Sequence, residues 1–202
     1  MAKVNAPLFS FNASGKLANS LVYFGWKGLD VVRSYVVPSN PRSAAQTTQR
    51  GYLAAAVDVI HTAQALAADA LVALDAAAYA LFGSTYASPR TWFNQIVKNY
   101  VDVSVAGNTP GVFYDAQIDT STPDQIDLDI DSEEATLGTA KCFYGTSKTA
   151  LINSVACTGV APNYLATIPG TVAGTKYFFQ VRVDSGQAGE GAKSGIYYAV
   201  GE

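Results

Sequence analysis

His61 is the single histidine of the chain, and it lies on an Ala-rich stretch with Asp58 as its nearby acidic neighbour in sequence. A Ser-His-Asp hydrolase would have to use it, yet there is no Gly-x-Ser-x-Gly elbow to present a nucleophile. The spacing predicts an ordinary helix-surface histidine and no catalytic role. Cys142 and Cys157 contribute two thiols. A zinc site needs about four ligands; one histidine far in sequence from two cysteines does not supply them, so no metal is expected. "DLDIDSEE" (127–134) concentrates carboxylates. A calcium loop of the EF-hand kind wants Gly at its sixth position and Glu at its twelfth, but those positions hold Ser132 and Gly138. The segment reads as the solvated face of a strand, with weak divalent binding left open. "SGQAGEG" (185–191) is glycine-rich but sits between two strand-like runs, not before a helix, so it is no phosphate cradle. Acids are plentiful enough for the paired carboxylates of glycoside hydrolysis, yet nothing selects a pair. No catalytic residue and no cofactor is expected.

The elements that carry these residues have to be inferred from composition. In 202 residues, 49% are apolar and only 14% charged, with 17 glycines. That allows a sizeable core in one large domain or two small ones, and disfavours disorder. Low charge suits extended strands and contacts with other subunits. The net charge of −3 gives no reason to expect nucleic-acid binding. Its distribution is uneven. Residues 1–50 hold six basic side chains (Lys3, Lys16, Lys27, Arg33, Arg42, Arg50) against Asp30 alone, whereas residues 100–140 hold nine acids and no base. The alternatives are solvated faces or electrostatic docking, between copies or on a partner. "MAKVNAPLFSF" has no apolar run of the secretory type, so Asn12 in "NAS" is not expected to carry glycan. Reduced, buried thiols are expected of a protein made in the cytosol; the alternative is a Cys142–Cys157 pair if their strands are neighbours.

"SLVYFGWKGLDVVRSYVV" (20–37) divides into two β-rich runs around Lys27-Gly28, the signature of a hairpin. Leu21, Tyr23 and Gly25 share one face, and Val22, Phe24 and Trp26 the other. Both faces are apolar, and a two-stranded hairpin alone is marginal, so it must pack on helices or on another subunit. Pro38 and Pro41 are expected to end the second strand. "SAAQ" from Ser43 forms a capping box with Gln46.

From Tyr52 to Phe82 there is no Gly or Pro. Leu53, Val57, Ile60, Gln64, Ala67, Leu71, Leu74, Ala78 and Leu81 step by four and three, the seam of a coiled coil or an antiparallel bundle. This is one helix, or two broken near Asp69, packed within the chain or against other copies. Asp58, Asp69 and Asp75 interrupt it, so no membrane span is expected. Ser88 and Pro89 read as the N-cap and first position of a further helix. Trp92, Ile96, Asn99 and Val103 give that helix a core stripe, flanked by Phe93, Val97 and Tyr100.

"AGNTPG" (106–111) is turn-rich, and composition changes beyond it. "QIDLDID" (125–131) alternates strictly, with Ile126, Leu128 and Ile130 inward and the aspartates outward. "KCFYG", "NYLATI", "KYFFQVRV" and "GIYYAV" read as further strands. So many short strands in about 90 residues predict a β-sandwich.

"IPGTVAGTKYFFQVRV" (168–183) is similar to the E–F corner and F strand of fibronectin type III domains, in which a Pro-Gly turn precedes Thr-x-Tyr and an alternating strand. The matches are Pro169-Gly170-Thr171, Thr175-Lys176-Tyr177, then Phe179, Val181 and Val183. The resemblance covers 109–202 and implies a tyrosine-corner hydrogen bond from Tyr177. The chain departs from the family in having both tryptophans upstream, at 26 and 92, and extra residues between the Pro-Gly and the Tyr. A second stretch, 14–50, resembles the N-termini of small bacteriophage virion proteins. The residues that carry it are Gly15, Val22, Tyr23, Gly28, Val31, Val32, Arg33, Tyr35, Val36, Pro38, Asn40, Pro41, Ser43, Gln46 and Arg50. "RTWFNQIVKNY" (90–100) is similar to the aromatic ending of the same segment. This resemblance implies a structural protein of the virion, made in the host cytoplasm, in the head, neck or tail.

The expected fold is α+β. Residues 1–108 form a hairpin-and-helix assembly domain, and 109–202 an immunoglobulin- or fibronectin-III-like all-β sandwich. Expected partners are other copies of the chain and other virion proteins, through Tyr23, Trp26, Arg33, Tyr35, Arg42 and Arg50. The alternative is an adhesion or glycan-binding module using Tyr144, Tyr164, Tyr197 and Tyr198. A hydrolytic enzyme has least behind it.

Overall fold

The computed structural model describes residues 2–3, 14–37, 39–40, 42–67, 70–159 and 161–202. Asn12, Pro38 and Pro41, expected to end the second strand, and Asp69, where the two-helix alternative puts its break, fall outside the described residues. In chain order the elements are β1 (Ala2–Lys3), β2 (Gly15–Leu17), β3 (Leu21–Trp26), β4 (Leu29–Ser34), α1 (Ala44–Ala65), α2 (Ala73–Gly83), α3 (Trp92–Val105), β5 (Phe113–Asp119), β6 (Gln125–Ser132), β7 (Ala140–Gly145), β8 (Asn153–Ala156), β9 (Asn163–Pro169), β10 (Lys176–Val183) and β11 (Tyr197–Val200). The fold is thus mixed α+β, with three antiparallel sheets. The chain forms two compact units, Met1–Ser43 and Ala44–Glu202. The compositional change near 108 therefore lies inside a compact unit.

In the first unit the expected hairpin is β3–β4, turned at Lys27 (φ 51°) and Gly28 (φ 77°). Positive φ at both central residues is the type I′ turn, whose twist matches the strands it joins. β2 and β1 extend it to four strands in the order β1-β4-β3-β2. The Tyr35 N–H donates to the Ser20 carbonyl at 2.7 Å and ties off the open end of the hairpin.

In the second unit the Ala-rich stretch is two helices. α1 stops at Ala65 and α2 starts at Ala73. The nine-position seam is correspondingly not a continuous buried stripe. Ile60, Leu71 and Ala78 are buried, but Leu53, Gln64, Ala67 and Leu74 are exposed. Once the helix is interrupted, the step of four and three no longer follows one axis. α1 instead buries Ala56, Ile60 and Ala63. The third helix also begins later than its Ser-Pro signal suggests. Thr91 is the N-cap, its Oγ1 accepting the Asn94 N–H at 3.3 Å. The chain before it is held by close backbone packing: a Cβ on Gly83 would stand 2.6 Å from the Arg90 carbonyl oxygen. The expected stripe of this helix is core, with Ile96 and Val103 buried. Ile60, Ala63, Leu71, Tyr79 and Ile96 form the helical core together with Val112 and Tyr114.

β5-β6-β9 and β11-β10-β7-β8 are the two remaining sheets. Along β6, Ile126, Leu128 and Ile130 are buried and the intervening aspartates half-buried, as strict alternation requires. These residues meet Phe113, Tyr164, Ile168, Phe179 and Val181 in one apolar core. Helix α2 joins both sheets. Tyr79 accepts the Phe113 N–H and donates to the Phe113 carbonyl. Asp75 accepts from the backbone of β5 and from Tyr197 on β11. Gly195 makes room for this packing, since a Cβ there would lie 2.6 Å from the Ala78 Cβ.

Candidate functional site

The residues expected to carry assembly lie on two faces of the first sheet and on the chain that follows it. Register places Lys16, Val22 and Arg33 in one row across three strands, with Phe24 opposite Val31 and Trp26 opposite Leu29 on the same face. The other face carries Leu17, Leu21, Tyr23 and Val32. Val31 is the only buried residue of this unit among the described ones; Val22, Tyr23 and Phe24 are half-buried, and Trp26 is 50% exposed. Leu17, Trp26 and Leu29 keep 41–50% of their surface in water, area from which about 25 cal/mol per Å² would be recovered by covering it.

Cations decorate that sheet. Lys16 Nζ lies 4.5 Å from the Tyr35 ring centre, Lys27 Nζ 5.1 Å from that of Trp26, and the Arg33 guanidinium 5.6 Å from that of Phe24. Such stacking at exposed sites is worth about 0.5–1 kcal/mol, and Lys16 Nζ also donates to Asn19 Oδ1 at 3.1 Å. Arg33 is exposed and Tyr35 half-buried. Arg42 is exposed with a positive φ of 45°, just ahead of Ser43, and Arg50 is exposed on α1. Lys16 and Lys27 are additions that sequence reasoning missed. Lys27 was legible as a hairpin-turn residue beside Trp26, while Lys16 depends on β2, which had no strand signal of its own.

The four tyrosines expected to serve adhesion, on β7, β9 and β11, have unlike surroundings. Tyr164 and Tyr197 are buried, which removes them as exposed platforms. The reason is alternation: Tyr164 pairs with Ile130 and Tyr197 with Phe179, all on inward-facing positions. Tyr164 donates to the Gly138 carbonyl at 2.7 Å, and burial pushes its phenol up to about 12. Tyr144 is half-buried beside the core. Tyr198 is 52% exposed, with Lys176 Nζ 3.4 Å from its ring centre and Phe178 beside it at 6.2 Å.

The outer face of β5-β6-β9 is acidic. Asp119 stands directly across from Asp127, and Gln117 across from Asp129. Neutral donors meet the carboxylates: Thr167 donates to Asp127 at 2.6 Å, and Asn163 to Asp129 and Asp131 at 2.6 and 2.8 Å. The Ser121 N–H holds the Asp119 carboxyl below the usual range. A depression of about 430 Å³ crosses this face between Asp119, Asp129, Thr158 and Leu165.

Cys142 and Cys157 are free thiols on neighbouring chain segments. Burial raises both, Cys157 to about 12, so neither is a reactive thiolate at neutral pH. His61 is exposed, its ring 6.4 Å from that of Phe93. Among the described residues no three His, Cys, Asp or Glu side chains converge as metal ligands, and no helix is long and apolar enough to cross a membrane. No protein-family model matches the sequence, and no curated protein matches it.

Proposed function

We propose that the protein is a structural component of a tailed-bacteriophage virion, assembling through its N-terminal unit and displaying a fibronectin-III- or immunoglobulin-like sandwich. The observation that carries the reading is the first sheet. It is four strands wide, apolar or aromatic on both faces, and buries Val31 alone among its described residues. Such a surface gains stability by being covered in an assembly. The resemblance of residues 14–50 to virion proteins supplies the kind of assembly. For the displayed domain, support comes from the strand order β5-β6-β9 against β11-β10-β7-β8. It also comes from the Tyr177 hydroxyl, which accepts the Val172 N–H at 3.1 Å, as a tyrosine corner does. Mass spectrometry of gradient-purified particles from the source tests the proposal. The chain is expected at the copy number of a structural protein.

A second reading, an adhesion module, draws on the exposed Tyr198 and its neighbours Phe178 and Lys176. A glycan array probed with the whole protein, with Tyr198→Ala as control, separates it: specific binding lost in the variant favours adhesion.

A further inference from the structure

We propose that copies of the protein dock head to tail, the cationic–aromatic face of the first sheet of one copy seating on the acidic face of β5-β6-β9 of a second copy. The inference rests on the assembly reading and names the partner and the two surfaces. On the first surface, Lys16 and Arg33 flank Val22 in register, and Phe24 and Trp26 continue the same face. Among the described residues these cations lie on aromatic rings and meet no carboxylate. On the second, Asp119 directly opposes Asp127, and Asp129 is next on that face of β6. Like charges opposite one another across a strand pair are unfavourable, and among the described residues only neutral donors relieve them. A cation-bearing surface from outside would satisfy both sets at once.

Complementarity points to a second copy, because one sequence carries both halves. Residues 1–50 have six basic side chains against one acid, and residues 100–140 have nine acids and no base. The depression of about 430 Å³ on the acidic face is wide enough for a guanidinium or an indole from the opposing sheet. Since the two surfaces differ, the contact is heterologous, and its repetition closes a ring or extends a stack.

The test is sedimentation of the full chain and two charge-reversed forms, Lys16→Glu/Arg33→Glu and Asp119→Lys/Asp129→Lys. Each form alone is expected to self-associate at least about tenfold more weakly than the unaltered protein, and an equimolar mixture to regain association within about threefold, because complementary faces then meet across copies. Association of the unaltered protein is also expected to weaken about tenfold between roughly 50 and 500 mM salt, which keeps the test decisive if a reversed form fails to fold. A monomeric unaltered protein, salt-insensitive association, reversed forms that associate normally, or a mixture that stays dissociated would each overturn the contact. Absence of the chain from particles would instead remove the virion reading and leave this contact standing.

Discussion

Asp75 and Tyr197 lie 122 residues apart in sequence, yet the Tyr197 hydroxyl donates to the Asp75 carboxylate at 2.8 Å in the interior of the second unit. The same carboxylate accepts the N–H groups of Val72, Asp115 and Ala116. Asp115 sits at a bulge with φ 51°, which turns two successive N–H groups onto one acceptor. One side chain therefore starts helix α2 and fixes it to a strand of each sheet.

Asp75→Ala should be the most damaging single change at this junction. It strands the Tyr197 hydroxyl and two β5 amides in the interior, a loss of at least about 3 kcal/mol at roughly 1–3 kcal/mol per unsatisfied group. Tyr197→Phe removes one donor and should cost about 1–2 kcal/mol. Urea unfolding of both variants and the double mutant measures this. A strongly non-additive cycle is expected, and additive losses would mean the pair is not coupled.

Gly195→Ala should loosen the same junction by a different route. The new methyl would stand 2.6 Å from the Ala78 Cβ and 2.8 Å from the Tyr79 nitrogen, on helix backbone that cannot rotate away. A loss of about 2 kcal/mol or more is expected from overpacking. An unchanged thermal midpoint would show that α2 shifts freely.

Alkaline pH should destabilise the second unit. Burial raises Cys157 from its ordinary 9.0, and Tyr164 from 10.0, to about 12 in each case, and raises Tyr197 well above 10.0. In the unfolded chain these groups lose their protons at the ordinary values while the folded chain retains them. Stability is then fully present below about pH 9 and falls as pH rises from there towards 12. Urea midpoints at pH 8, 10 and 11 should fall in that order. A constant midpoint would contradict the burial of these groups.

Tyr177→Phe should cost about 1 kcal/mol, the worth of one ordinary hydrogen bond, by freeing the Val172 N–H from its acceptor at 3.1 Å. Chemical denaturation with circular dichroism reads it. A neutral result would make this hydrogen bond incidental to the stability of the second unit.

Much of the fold was legible because its periodicities are local. Lys27-Gly28 marked the hairpin, and Ile126, Leu128 and Ile130 marked the inward face of β6. The start of α3 was misplaced because Ser88-Pro89 and Thr91 offer competing starts, and only Thr91 receives the helix amide. The helical seam misled because a sequence period does not reveal where a helix stops. Exposure was legible for Tyr198 but not for Tyr197, its neighbour in the chain: their difference is the side of the sheet each faces, which depends on pairing with β10. The junction through Asp75 had no sequence signal, since its partners lie 40, 41 and 122 residues away.

Immunogold electron microscopy of intact particles, with antibody against residues 109–202, tests the central claim most directly. Label on the particle surface, over the head or confined to the neck or tail, is the expected result. Particles that carry the chain by mass but take no label would contradict the displayed sandwich, and particles that lack the chain would contradict the virion role itself.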